Sequence, residues 1–166
     1  QFAGMQLGID HADGERNLLL FTVDHRTEPV IDTYRADLTT NALTLVGTSE
    51  HAYTPTGGNA DMTRVVLAQS YEQGDVVLFR WNGGASVSAA DAIFGKPITE
   101  RGEDERVSLN GIFSAEPVGN GVLLACALFD DRGGLAYFTI GQPDAVRPVE
   151  VVGVKHTGNG EMEKIS

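Results

Sequence analysis

Apolar and polar positions alternate along this chain in short bursts. In residues 32–46, DTYRADLTTNALTLV, the positions Tyr34, Ala36 and Leu38 share one face, Thr39-Thr40-Asn41 interrupts, and Leu43 and Leu45 resume the alternation. A period of two, broken by polar turn-forming residues, predicts a two-strand hairpin. The pattern recurs. Three apolar runs rich in strand formers stand at 17–25 (NLLLFTVDH), 63–71 (TRVVLAQSY) and 120–129 (NGVLLACALF). Aligning Leu18, Val65 and Val122 spaces them by 47 and 57 residues.

Each run leads through a loop into a second strand: IDTYRADL (31–38), GDVVLFRW (74–81) and GGLAYFTI (133–140). Glu28-Pro29, Gln73-Gly74 and Gly133-Gly134 punctuate the loops. A third strand follows in NALTLVGTS (41–49) and RPVEVVGV (147–154). The equivalent ASVSAADAIFG (85–95) is less regular and predicts a helical turn, and ITERGEDERVS (98–108) reads as a solvated loop insertion. FAGMQLGI, AYTPTGG and LNGIFSAEP each supply a strand ahead of a unit.

Four short antiparallel strands per unit of about 45 residues is the pattern of a propeller blade, and blades bury their faces only by stacking. The expected fold is therefore all-β and β-propeller-like, in one domain spanning 1–166. It has about three four-stranded antiparallel blades at roughly 1–50, 51–97 and 109–154, with the start of a fourth at 155–166. A β-sandwich or a single large barrel is the competing architecture. Three blades and a fragment fall short of the four to eight of closed propellers. This predicts an arc of a larger ring or an unusual closure.

The blade phrases resemble the propeller domains of the prolyl oligopeptidase family of serine peptidases and the related TolB-like propellers. DTYRADLTTNALTLV is similar to that family's strand ending in Asp-Leu, Thr-containing turn and strand ending in Leu. ADMTRVVLAQSYEQGDVVLFRW and GGLAYFTIGQPDAVRPVEVVGVKHTGNGEMEKIS are similar to later blades. The resemblance covers most of residues 13–166. It implies a non-catalytic module that covers an active site and positions peptide substrates. The expected partners are then a missing catalytic domain, further blades, or a peptide or protein ligand, with self-association to cover exposed blade faces as a further expectation. The chain has no Gly-x-Ser-x-Gly elbow, so no catalytic residue is carried over and enzymatic activity in this chain is left open. A stand-alone propeller-like scaffold binding a protein or small ligand is the alternative. An enzyme acting at the propeller axis is the weakest reading, because no acid–base pair or metal cage stands out.

Charge narrows the partners. A formal charge of −11 repels phosphate backbones and argues against nucleic acid. No apolar stretch is long enough to span a bilayer, so no membrane partner is expected. The lone cysteine, Cys126, reads as a small buried hydrophobe, and the absence of a disulfide framework and signal peptide predicts a cytoplasmic protein. The first residue is Gln1, which predicts a processed or partial polypeptide. Trp81 reads as a packing aromatic.

DHADGE (10–15) begins like a calcium loop but position 21 is Phe21, so it reads as a turn, and neither a metal nor a cofactor is expected. TGGN (56–59) and GNGE (158–161) read as turns rather than phosphate cradles. The surviving constellation lies in the loops joining the first two strands of the units. Asp24, His25 and Arg26 in one, and Asp130, Asp131 and Arg132 in another, are the candidate binding residues on one face. Polar loop tips are the plainer explanation of both.

Overall fold

Val, Ile, Leu and Phe crowd the middle of each predicted strand, and Gly, Asn and Asp stand between strands, so the backbone is steered into hairpins. The computed structural model describes residues 2–105 and 109–150. It holds three four-stranded antiparallel sheets, each a simple meander in chain order. Sheet 1 contains β1 (Gln6–Asp13), β2 (Leu18–Asp24), β3 (Ile31–Asp37) and β4 (Ala42–Ser49). Sheet 2 contains β5 (Thr54–Gly58), β6 (Val65–Glu72), β7 (Asp75–Trp81) and β8 (Ala92–Phe94). Sheet 3 contains β9 (Ile112–Val118), β10 (Gly121–Cys126), β11 (Gly134–Thr139) and β12 (Arg147–Val149).

The predicted hairpin over 32–46 is the β3–β4 pair, with Tyr34 opposite Leu45 and Asp37 opposite Ala42. Its turn is held by the Asp37 carboxylate, which accepts the Thr39 and Thr40 backbone N–H groups, and by Asn41 at a positive φ of 58°. The irregular segment at 85–95 does contain a 3-10 turn, Ala89–Asp91, before β8. In TGGN, Thr56, Gly57 and Gly58 belong to β5 rather than to a turn. Gly57 lies close against β9, where an added Cβ would displace the Glu116 carboxylate.

Two-sided burial orders the sheets. In sheet 2, Val65, Leu67, Val77 and Phe79 face Leu20 and Val46 of sheet 1. The opposite face presents Val66, Val76 and Leu78 to Val122, Leu124, Ala136 and Phe138 of sheet 3. Sheet 2 is therefore the middle layer of a stack in chain order. Alternate residues of β6 and β7 point to different neighbours, which explains their near-continuous hydrophobicity. Three separate sheets exclude a two-layer sandwich, and the sheets do not close on themselves. The first strands approach one another, β5 touching both β1 and β9.

The outer face of sheet 1 is a third apolar layer, in which Phe21, Val23 and Ala36 are covered by Phe2, Met5, Leu19 and Tyr34. Beyond that cover, β1 is exposed along nearly its whole length, with Ile9 72% accessible. Trp81 is buried between sheets 1 and 2 and donates its indole N–H to the Ala85 carbonyl. Cys126 is buried against sheet 2, and burial pushes its thiol pKa up. The predicted blade start at 155–166, the GNGE segment and residues 151–154 lie outside the described residues. No helix among the described residues is long and apolar enough to cross a membrane.

Candidate functional site

Hydrogen bonds between sheets show which loops share an end of the stack. Gln69, late in β6, donates its amide to Ser49 Oγ at the end of β4 (2.7 Å). The β6–β7 turn accepts the backbone N–H groups of Asn110 and Gly111 at the Gly74 carbonyl, and Ala127 N–H reaches the Gly111 carbonyl. Since β4 runs parallel to β2 within its meander, the β2–β3, β6–β7 and β10–β11 loops all lie at one end. Asp24, His25, Arg26, Asp130, Asp131 and Arg132 are therefore at the same end, but sheet 2 separates the two groups.

Within each group the charges are spent locally. Arg26 lies 3.6 Å from the Asp24 carboxylate and donates to Gln6. Arg132 binds both oxygens of Asp130 at 3.2 Å, and this side-chain pairing, helped by the Arg132 backbone N–H, lowers the Asp130 pKa to about 2. Asp131 is exposed.

His25 is different. Its Nε2 sits 2.9 Å from Asp32 Oδ2, and Tyr34 OH donates to the same oxygen at 3.1 Å. Thr48 donates to the other oxygen at 2.5 Å. Burial raises the Asp32 pKa, but the hydrogen bonds from Thr48, His25 and Tyr34 outweigh it and the net shift is downward. The Tyr34 pKa rises through burial and the neighbouring carboxylate. Both hydroxyls serve the carboxylate and not the imidazole, so the group clamps the first loop.

Sequence reasoning missed a cleft of about 320 Å³ that opens between sheets 1 and 2 at this same end, lined by Ser49, Glu50, His51, Tyr53, Gln69 and Tyr71 among others. A polar relay crosses it: Tyr71 OH donates to Gln69 Oε1 (2.7 Å), and Gln69 donates to Ser49. The His51 ring meets Tyr71 edge-on at 4.8 Å. The Arg101 guanidinium lies over the Tyr71 ring, 5.0 Å from its centroid. Arg101 also forks onto Asp75, which is fully buried, with its longer arm at 3.0 Å. That pairing raises the Arg101 pKa, while burial raises those of Tyr53 and Tyr71.

Arg101 corrects the reading of 98–108 as a purely solvated insertion. A buried carboxylate at the start of β7 pulls this part of the segment inward, and the pair is what fixes Tyr71. The one available signal was Asp75 directly ahead of the apolar run VVLF, a charge at a position that needed a partner.

No group of three His, Cys, Asp or Glu side chains converges to hold a metal among the described residues. Scanned against models of known protein families the chain matches none, and a search of curated proteins finds no match either.

Proposed function

We propose that this chain is an arc of a β-propeller acting as a non-catalytic binding module, which takes a peptide or partner segment at the cleft between sheets 1 and 2. The observation that carries this reading is the braced relay of Ser49, Gln69, Tyr71 and His51. It lines the cleft with the Ser49 hydroxyl and the His51 and Tyr71 rings, held together by the Gln69 hydrogen bonds and by Arg101, which lies over Tyr71 and forks onto Asp75.

The arc rests on the equivalence of the sheets. Phe79 and Phe138 occupy the third strand of their sheets and face the preceding sheet, and Tyr34 holds the matching place in sheet 1. Leu7, Ile9, Leu43 and Leu45 extend that face and remain exposed, which fits a further blade stacking there. The more specific form of the proposal is the propeller module of a prolyl oligopeptidase-type peptidase. It is supported by the blade phrases, including the one that forms the β3–β4 hairpin.

Titrating short proline-containing peptides into the isotopically labelled chain tests the binding site. The expected result is saturable shifts of the Ser49, His51, Gln69 and Tyr71 amides, weakened in Tyr71→Phe. Saturable shifts confined to the opposite end of the sheets, or none at all, contradict the proposal.

A further inference from the structure

We propose that a second cleft, between sheets 2 and 3 at the opposite end of the stack, binds a small anion carrying a carboxylate or phosphate group through Arg64 and Arg80. Of twelve lysines and arginines, Arg106, Lys155 and Lys164 lie outside the described residues. Every other one except Arg64 and Arg80 is engaged through its side chain. Arg16, Arg26, Lys96, Arg101 and Arg132 meet carboxylates, Arg35 meets the Asp61 carbonyl, and Arg147 lies over the Tyr137 ring. In a chain of net charge −11, basic side chains without a partner are the exception. Arg64 and Arg80 are those exceptions among the described residues, and both line one cleft of about 590 Å³.

Their placement follows from the strands. Arg80 is opposite Val66 in the β6–β7 register, on the face of sheet 2 that packs against sheet 3. It lines the cleft at the edge of that core, where an arginine can bury its stem and keep its charge in solvent. Snorkelling accounts for one such arginine, but not for a second unpaired one lining the same opening. Arg64 immediately precedes β6, in a loop whose shape is set by the Asn59 carbonyl oxygen of the side-chain amide accepting Arg64 N–H at 2.7 Å.

The facing wall is the β9–β10 turn, Gly119-Asn120, followed by Gly121. Gly119 has a φ of +61°, and a Cβ on Gly121 would lie 2.2 Å from the Phe138 carbonyl oxygen, so this wall is kept at backbone thickness. Pro117 and Ile140 supply apolar contact. A smaller cleft of about 330 Å³ adjoins through Arg80 and Ile140. Its carboxylate, Asp91, accepts the N–H and hydroxyl of Ser88 and forms no ion pair with Arg80. Two planar guanidinium forks that form no ion pair among the described residues suit bidentate capture of a carboxylate or phosphate.

The test titrates inorganic phosphate and, separately, citrate into the full chain, with ionic strength held constant by sodium chloride. The expected result is saturable shifts of the Arg80, Asn120 and Ile140 amides with at least one of the two anions. Arg64→Gln and Arg80→Gln should each weaken binding about tenfold or more, and Arg80→Lys, which keeps charge but loses the fork, should weaken it less than Arg80→Gln. The anion that binds more tightly identifies the preferred group. Absence of saturable binding to both anions up to about 20 mM overturns the proposal. So does unchanged affinity in the doubly substituted Arg64→Gln/Arg80→Gln chain.

Discussion

Replacing Arg101 by Met should destabilise the protein far more than an ordinary surface substitution. The Asp75 side chain is fully buried, and Arg101 is 10% exposed and supplies both of its charged contacts. Arg101→Met keeps much of the stem but leaves a buried carboxylate without its counter-charge. Removing one partner of such a pair costs about 3–5 kcal/mol. Against a domain stability of about 5–15 kcal/mol this is a large fraction. With a urea slope of about 2 kcal/mol per molar, the unfolding midpoint should fall by about 2 M. Urea unfolding followed by Trp81 fluorescence is a suitable assay, because the indole is buried in the layer between sheets 1 and 2. Asp75→Asn in the Arg101→Met background removes the orphaned charge and should recover part of the loss. A cost below about 1 kcal/mol for Arg101→Met would put the pair in the range of exposed ion pairs and refute its role as the brace of the cleft.

Other expectations are as direct. Phe79→Ala and Phe138→Ala, each emptying one of the two inter-sheet layers, should cost about 3–5 kcal/mol in denaturant unfolding, whereas Ile9→Ser on exposed β1 should cost less than about 0.5 kcal/mol. Carboxyl NMR should find Asp130 titrating near 2, and Arg132→Gln should return it toward the ordinary carboxylate value. The Asp32 pKa is lowered on folding, so its contribution is present above the unfolded carboxyl pKa and is lost as pH falls through the folded one. Thr48→Val should move the Asp32 titration upward and shrink the acid-side loss of stability, read from unfolding curves between about pH 2 and pH 5.

Much of the architecture was legible because one signal dominates it. The alternation through Tyr34, Ala36, Leu43 and Leu45 needed only local turn chemistry at Asp37 and Asn41 to become a hairpin, and both residues are explicit in the chain. The long runs at β2 and β6 were readable because strands covered on two faces lose their polar half, and the run at β10 because it packs on sheet 2. β5 was harder. Its glycines look like a turn, and only their pairing with Val65 and Val66 of β6 makes them strand residues.

The candidate sites were less legible. Charged loop tips drew attention because charge is visible in a sequence, yet Arg26 and Arg132 are neutralised by aspartates two residues away. The cleft residues Gln69 and Tyr71 sit in what reads as an ordinary amphipathic strand, and their meeting with Ser49, His51 and Arg101 is set by sheet stacking. Pairings between residues about 20 or more apart leave no local trace. The same holds for Arg64 and Arg80, whose distinction is the absence of a partner.

Residue-resolved hydrogen exchange tests the stacking order most directly. Sheet 2 is the middle layer, so the amides of β6 and β7 should be among the slowest, opening only with global unfolding, and β1 should exchange fastest of the sheet 1 strands. Exchange of β6 and β7 that is faster than that of β2 and β3 would contradict a stack in which sheet 2 is covered on both faces.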